Sequence, residues 1–345
     1  MSQLPHLTKV PDTAKVALYQ DTDSTQEVNV MKAVVLDADD QFRITEAAVP
    51  APGPGEVAIR VAYAGVQYGD VLVREGHFPI PRPFVPGFEA SGDIVAVGDG
   101  VDEARIGEQV TALIGGGGYA EVVIAPAVLA INAAQVDPRT AAGFGWVTPT
   151  AYDLIHTVAG VRPGDSVLIH AAAGGVGSLA GQFAAAAGAQ RIVGVVGNAD
   201  QVDYARQFGY HQVLAREEFP DALGGEKFDV ILDPIGGDTR VANVARLAAH
   251  GRIVVYGNIA TFEPVTVSAN DLLMQGQSLM TYNSNLASQT NPKRLADSAA
   301  RAMSLVADGS VRIDITAEYE LSDVETAIAN LAGGQTRGKS IIRVR

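Results

Sequence analysis

The chain has no cysteine, one tryptophan among only 6% aromatic residues, and 19% charged residues over 345 positions. Without cysteine it can form no disulfide and offer no thiolate to a metal, although a disulfide-free chain is compatible with any compartment. Positive charge is also scarce: 25 Lys and Arg stand against 39 Asp and Glu, for a net charge of −14. No basic stripe is present, which argues against a nucleic-acid partner, since a phosphate backbone needs a basic surface. No apolar run reaches membrane-spanning length, and residues 1–30 lack the charged start and apolar centre of a signal peptide. The expectation is a cytoplasmic protein with no membrane partner. His6, His77, His156, His170, His211 and His250 are scattered without ligand spacing, so they read as polar surface or strand-end residues.

What is present is a large apolar fraction, 47%, with 37 glycines and 17 prolines to punctuate it. A chain of this length suggests about two domains. Residues 1–30 are polar and without period; they read as an N-terminal arm, unless Met31 is the natural start. Residues 31–150 are written in an all-β style, with short runs such as Glu56-Val57-Ala58-Ile59-Arg60-Val61 and Gly92-Asp93-Ile94-Val95-Ala96-Val97 between Pro and Gly. A small barrel or sandwich follows from that spacing. Residues 151–282 alternate strand and helix patterns, and residues 283–345 return to mixed helix and strand, with the last strand free to rejoin the first domain.

The α/β part opens on Ser166-Val167-Leu168-Ile169-His170, a short apolar strand that runs into Ala171-Ala172-Ala173-Gly174-Gly175-Val176-Gly177 and then a helix of small residues over 178–188. Such a unit begins a dinucleotide site: one residue permits a tight turn, a second lets the backbone approach a pyrophosphate, and a third lets helix and strand pack closely. Ala172 takes the first place here, and Gly174 and Gly177 the other two. Backbone N–H groups of Gly175, Val176 and Gly177 then offer an anion site through the helix N-terminus. Strand-like runs follow at 192–196, 228–233 and 252–257, with a helix expected over 239–250. The implied fold is a doubly wound parallel sheet of the Rossmann kind, with its ligand at the carboxyl ends of the strands. The second strand ends in Val196-Gly197-Asn198 rather than in a carboxylate. A carboxylate there would bind a ribose 2′-hydroxyl and repel a 2′-phosphate, so Gly197 and Asn198 favour NADPH, with NADH left open.

Several further elements carry a resemblance. They are Gly53-Pro54-Gly55-Glu56-Val57, Ala64-Gly65-Val66-Gln67-Tyr68-Gly69-Asp70, Pro83-Phe84-Val85-Pro86-Gly87-Phe88-Glu89, Gly118-Tyr119-Ala120-Glu121, Thr150-Ala151-Tyr152 and Gly338-Lys339. Together with the glycine turn, they make the chain similar to the medium-chain dehydrogenase/reductase superfamily, in its zinc-lacking quinone oxidoreductase branch. The resemblance implies a GroES-like β-rich catalytic domain, a Rossmann cofactor domain, a cleft between them and a homodimer or tetramer. It also bears on metal. Zinc-dependent relatives use a thiolate and the imidazole of a Gly-His-Glu element, whereas this chain has no Cys and reads Gly87-Phe88-Glu89, so no zinc is expected.

Without a Lewis acid, hydride must go to an acceptor that is already electron-poor: a quinone, or the β-carbon of an enone or enoyl thioester. By the resemblance, Gln67 and Tyr68 face the nicotinamide and donate to the acceptor oxygen, with Tyr68 also able to relay a proton. Asp70 reads as a structural hydrogen-bond residue. Thr150 and the Gly257-Asn258 turn lie by the nicotinamide, and Asp233 braces its turn through Asp-Pro chemistry. Where relatives carry a phosphate-binding lysine the chain has Gln201, and Arg216 is the substitute cation. Trp146 and Tyr282 are candidate substrate walls. An open edge over 279–282 would pair with its copy, giving a homodimer. Three functions fit these residues: an NADPH-dependent quinone reductase, an enoyl or enone reductase, and a non-catalytic NADPH-binding sensor or structural protein.

Overall fold

Glycine and proline divide the first part of the chain into short strands, and the structure, a computed structural model describing residues 29–78 and 80–345, pairs them accordingly. The expected arm at 1–30 lies, except for its last two residues, outside the described residues. The chain divides into two compact units. One holds the chain up to Trp146 with Leu286–Asp308 and Ile313–Arg345; the other holds Val147–Asn285 with Gly309–Arg312.

In the first unit, β1 (Val30–Leu36) and β2 (Phe42–Ala48) form an antiparallel hairpin. After β3 (Glu56–Val66) comes a short helix α1 (Tyr68–Arg74), followed by β4 (Glu89–Val97), β5 (Gln109–Leu113), β6 (Val122–Pro126), β7 (Ala130–Asn132) and helix α2 (Pro138–Phe144). β3 is long enough to pair antiparallel with β4 along one edge and with β6 along the other. Its alternate residues Val57, Ile59 and Val61 are buried against Val110, Ala112 and Val123. Ala58 between them and Ala64, Gly65 and Val66 beyond are buried too, so this strand is covered along much of both faces.

The second unit opens with α3 (Val147–Tyr152), which widens into a π-helical run over Asp153–Val158. Then come β8 (Ser166–His170), α4 (Gly175–Ala186), β9 (Arg191–Val196), α5 (Val202–Ala205), β10 (Gln212–Ala215), β11 (Phe228–Asp233), α6 (Gly237–Ala245), β12 (Leu247–Val255), α7 (Ala269–Gln275) and β13 (Ser278–Thr281). The sheet order is β10-β9-β8-β11-β12-β13, and every pairing is parallel. Counted from β8, this is the 3-2-1-4-5-6 order of a dinucleotide-binding fold. Both faces are covered by helices, so the centres of β8, β9 and β11, at 167–169, 192–196 and 230–232, are continuous apolar runs rather than alternating ones. His170 does end β8; it is buried, pairs with Asn243 Oδ1 at 2.8 Å, and burial pushes its pKa down.

One expected element differs. The helix anticipated over 239–250 stops at Ala245, and Leu247 already belongs to β12, opposite Phe228. Burial of Leu247 in the sheet core outweighs the helix propensity of Ala248 and Ala249. The register slips between Leu247 and Arg252, and within that stretch His250 has a left-handed φ of 62°.

The chain then returns to the first unit through α8 (Ser284–Thr290), α9 (Pro292–Ala307), β14 (Ile315–Glu320), α10 (Val324–Ala332) and β15 (Lys339–Arg343). β15 pairs antiparallel with β3 and parallel with β14, completing a seven-stranded sheet. The 339–344 strand therefore does rejoin the first unit. α1 packs on α10, where Arg74 meets Glu325 at 2.9 Å, so the helix that begins at Tyr68 is held by the chain's last helix.

Candidate active site

Because all strands of the second unit are parallel, their carboxyl ends share one edge. The candidate cofactor residues collect there: the 174–177 turn after β8, Gly197 and Asn198 after β9, Arg216 after β10, and Gly257 and Asn258 after β12. α3, with the buried Thr150, packs on α4. The tight turn itself is made one residue earlier than expected: Ala171, not Ala172, has the left-handed φ of 53°. Ala172 stays in line with the sheet, its N–H donating to Val195 O at 3.0 Å. Gly174 is the N-cap of α4 and carries no side chain to cap it, so first-turn N–H groups face the strand edge without a protein acceptor from that residue. At Gly177 a Cβ would overlap the Ala171 carbonyl oxygen and stand 2.7 Å from Ala172 Cα, so only glycine lets helix and strand lie this close.

At the end of β9, Gln201 is buried and its side-chain oxygen accepts the Gly197 N–H at 3.2 Å. The residue in the lysine position is thus spent on the turn. Arg216 is exposed and makes no side-chain hydrogen bond or ion pair among the described residues. Asp233 braces its turn as expected, accepting from the N–H groups of Ile235 at 2.7 Å and Gly236 at 3.1 Å. Tyr282 donates its hydroxyl to the buried Asp153 at 2.7 Å, which fixes the ring at the end of β13.

The remaining candidates lie in the first unit. Gln67 precedes α1, and its N–H donates to Asp70 Oδ2 at 3.0 Å, while Gly87 N–H donates to Asp70 Oδ1 at 3.1 Å. Asp70 thereby joins the Gln67-Tyr68 turn to the Gly87-Phe88-Glu89 segment. The hydroxyl of Tyr119 is buried beside this carboxyl but outside hydrogen-bond geometry. Burial pushes the Asp70 pKa up to about 7 in spite of the two N–H donors. The native state therefore holds a proton that the unfolded chain, with a carboxyl near 3.8, releases. Stability from this group is greatest below about pH 4 and declines as pH rises to about 7. Asp70→Asn is expected to flatten that part of the stability–pH curve, measured by urea denaturation across the range. Tyr68 is half-buried, and burial, with Glu75 nearby, raises its pKa, so it stands as a neutral phenol able to donate.

Beneath the turn lies a buried ion pair. Lys339 donates to Glu89 Oε1 and, at 2.8 Å, to Val66 O; Glu89 Oε2 accepts the Trp146 N–H at 2.7 Å. The Trp146 indole donates to Phe88 O at 2.6 Å, so this residue is tied to the same segment.

The comparisons bear on both units. Residues 53–135 match the alcohol dehydrogenase GroES-like domain, and residues 175–301 match the zinc-binding dehydrogenase domain. A quinone oxidoreductase of Pseudomonas aeruginosa is 32% identical over 302 residues, covering 84% of this chain and 92% of that protein. A 2-haloacrylate reductase of Burkholderia is 30% identical, covering 88% of this chain and 95% of that protein. A mycobacterial structure in complex with NADPH has a TM-score of 0.82 at 28% identity, covering 91% of this chain and 99% of that one. The chain belongs to the medium-chain dehydrogenase/reductase superfamily, in its quinone oxidoreductase branch. Members that use zinc need three nitrogen, sulfur or oxygen ligands around an open position. Here Phe88 stands where their imidazole would be, and both oxygens of Glu89 are engaged. Among the described residues no cluster of three or more His, Cys, Asp or Glu could hold a metal.

The pairing of Glu89 with Lys339, both in elements that carry the resemblance, and the bond of Arg240 to Asp233 were not foreseen from the sequence. A signal existed for one partner: Glu89 is a lone carboxylate in the largely apolar 83–90 segment.

Proposed function

We propose that this protein is an NADPH-dependent, zinc-independent quinone reductase. The observation that carries the reading is the uncapped α4 N-terminus behind the Ala171–Gly177 turn, at the carboxyl edge of a 3-2-1-4-5-6 sheet. NADPH, when bound, supplies the hydride, and one proton from the protein or water completes a hydroquinone. Gly175, Val176 and Gly177 hold the pyrophosphate by their N–H groups. Arg216 holds the 2′-phosphate, a role supported by its lack of any protein partner; Gly197 and Asn198 present no carboxylate to repel it. Gln67 and Tyr68 donate hydrogen bonds to the oxygen on which negative charge grows. Names among the relatives support both a quinone and a conjugated alkene as acceptor.

The test is oxidation of NADPH and NADH at 340 nm against a benzoquinone, a naphthoquinone, an α,β-unsaturated ketone and a crotonyl thioester. Turnover with quinones is expected. A preference for the ketone or thioester would make this an enone or enoyl reductase, and binding without turnover would leave a sensor. Arg216→Ala should raise the KM for NADPH by about 10- to 100-fold, the worth of one charge-assisted hydrogen bond, and leave that for NADH unchanged.

The same reading includes a homodimer. β13 is the sheet's edge strand; Leu279 on it and Leu273 and Met274 on α7 are exposed, the latter two at 76% and 79%. Pairing of two β13 edges would cover both the open ladder and this apolar surface. Light scattering should report a dimer, and Leu279→Lys a monomer. No helix among the described residues is long and apolar enough to cross a membrane.

A further inference from the structure

One side chain ties together the carboxyl ends of β11 and β12. Arg240, in the first turn of α6, donates from Nε to Asp233 Oδ2 at 2.9 Å, from one terminal nitrogen to Gly257 O at 2.8 Å, and from the other to Asn258 Oδ1 at 3.1 Å. Asp233 is fully buried and the Arg240 side chain is 11% exposed. The carboxylate thus offsets the guanidinium charge, and what remains is direction. A guanidinium has donors and no acceptor. It therefore holds the Asn258 amide with its oxygen inward and its NH2 outward, at an exposed position on the edge where such sheets bind their ligands. The Asn258 NH2 has no protein partner among the described residues.

The turn itself does not depend on Arg240. Backbone bonds from Tyr256 N to Asp233 O, Ile259 N to Pro234 O and Ala260 N to Ile235 O already join the two strand ends. Arg240 adds the orientation of one amide, which without it could rotate and present either end.

Resting on the cofactor site proposed above, we infer that Arg240 is a positioning residue that locks Asn258 as a hydrogen-bond donor to a carbonyl oxygen at the nicotinamide end of the dinucleotide. The test compares Arg240→Met, Arg240→Lys, Asn258→Ala and the Arg240→Met/Asn258→Ala double variant. Affinities for NADPH and for 2′-phospho-ADP-ribose, which lacks the nicotinamide, are measured by fluorescence or calorimetry, and thermal midpoints are taken alongside. Arg240→Met should weaken NADPH about tenfold, roughly one hydrogen bond, and leave 2′-phospho-ADP-ribose within about twofold. In the Asn258→Ala background the same change should add less than about twofold. Arg240→Lys keeps the ion pair to Asp233 but cannot span both strand ends, so it should restore the thermal midpoint and not the affinity. Equal weakening of both ligands, additive effects in the double variant, or full recovery of affinity by lysine would each overturn the role of Arg240. A wild-type protein that binds neither ligand would overturn the cofactor site as well, which separates the two failures.

Discussion

Lys339→Met should destabilise the first unit by about 3–5 kcal/mol, the usual consequence of removing one partner from a buried ion pair. Lys339 and Glu89 have side chains 4% and 0% exposed, so water cannot replace either. With the ammonium gone, Glu89 keeps only the Trp146 N–H and Val66 O loses its donor. At roughly 2–4 °C per kcal/mol, the thermal midpoint should fall on the order of 10 °C. The double variant Glu89→Gln/Lys339→Met keeps an acceptor for Trp146 and removes both charges, and it should recover most of the loss. A change below about 1 kcal/mol in the single variant would mean that the pair is hydrated and contributes as little as a surface bridge does.

That pair also shows where the sequence was readable and where it was not. Strands with continuous apolar runs, such as 192–196 in β9, coincide with their text because burial on both faces leaves a one-dimensional pattern. The 174–177 turn was legible because at Gly177 glycine is required by distances to Ala171 and Ala172, neighbours close in sequence. Arg240 was not: its partners at Asp233, Gly257 and Asn258 become neighbours only through parallel pairing of β11 and β12, which no local pattern encodes. Glu89 and Lys339 are 250 positions apart and meet because β15 returns to β3. The helix misjudged over 239–250 failed for a related reason, since Ala248-Ala249-His250 carries no local signal that Leu247 will enter the sheet. Periodicity speaks for burial within an element, and long-range polar contacts lie beyond it.

Gly177→Ala and Gly174→Ala should separate the two tasks assigned to the glycine turn. A methyl group at Gly177 meets backbone: it would overlap Ala171 O and stand 2.7 and 2.8 Å from Ala172 Cα and Ala171 C, none of which can swing aside as a side chain would. α4 must then lift from the end of β8, against the Tyr210 hydroxyl that holds Gly177 O at 2.6 Å. Overpacking of this kind costs about 1–3 kcal/mol. The same shift misplaces the N–H groups proposed to hold the pyrophosphate, so NADPH affinity should fall by about 100-fold or more, the worth of one or two charge-assisted bonds. At Gly174 a Cβ would meet only Ala171 O, at 3.3 Å, a tight contact that a shift of a few tenths of an ångström relieves. Gly174→Ala should therefore lower the thermal midpoint much less than Gly177→Ala and still weaken NADPH, because its methyl group would project where the proposed site brings the phosphates to the backbone. If Gly174→Ala bound NADPH as the wild type does, the pyrophosphate would not lie against this turn. If both variants lost stability alike, the turn would be structural in full, and the uncapped N-terminus of α4 would need another explanation.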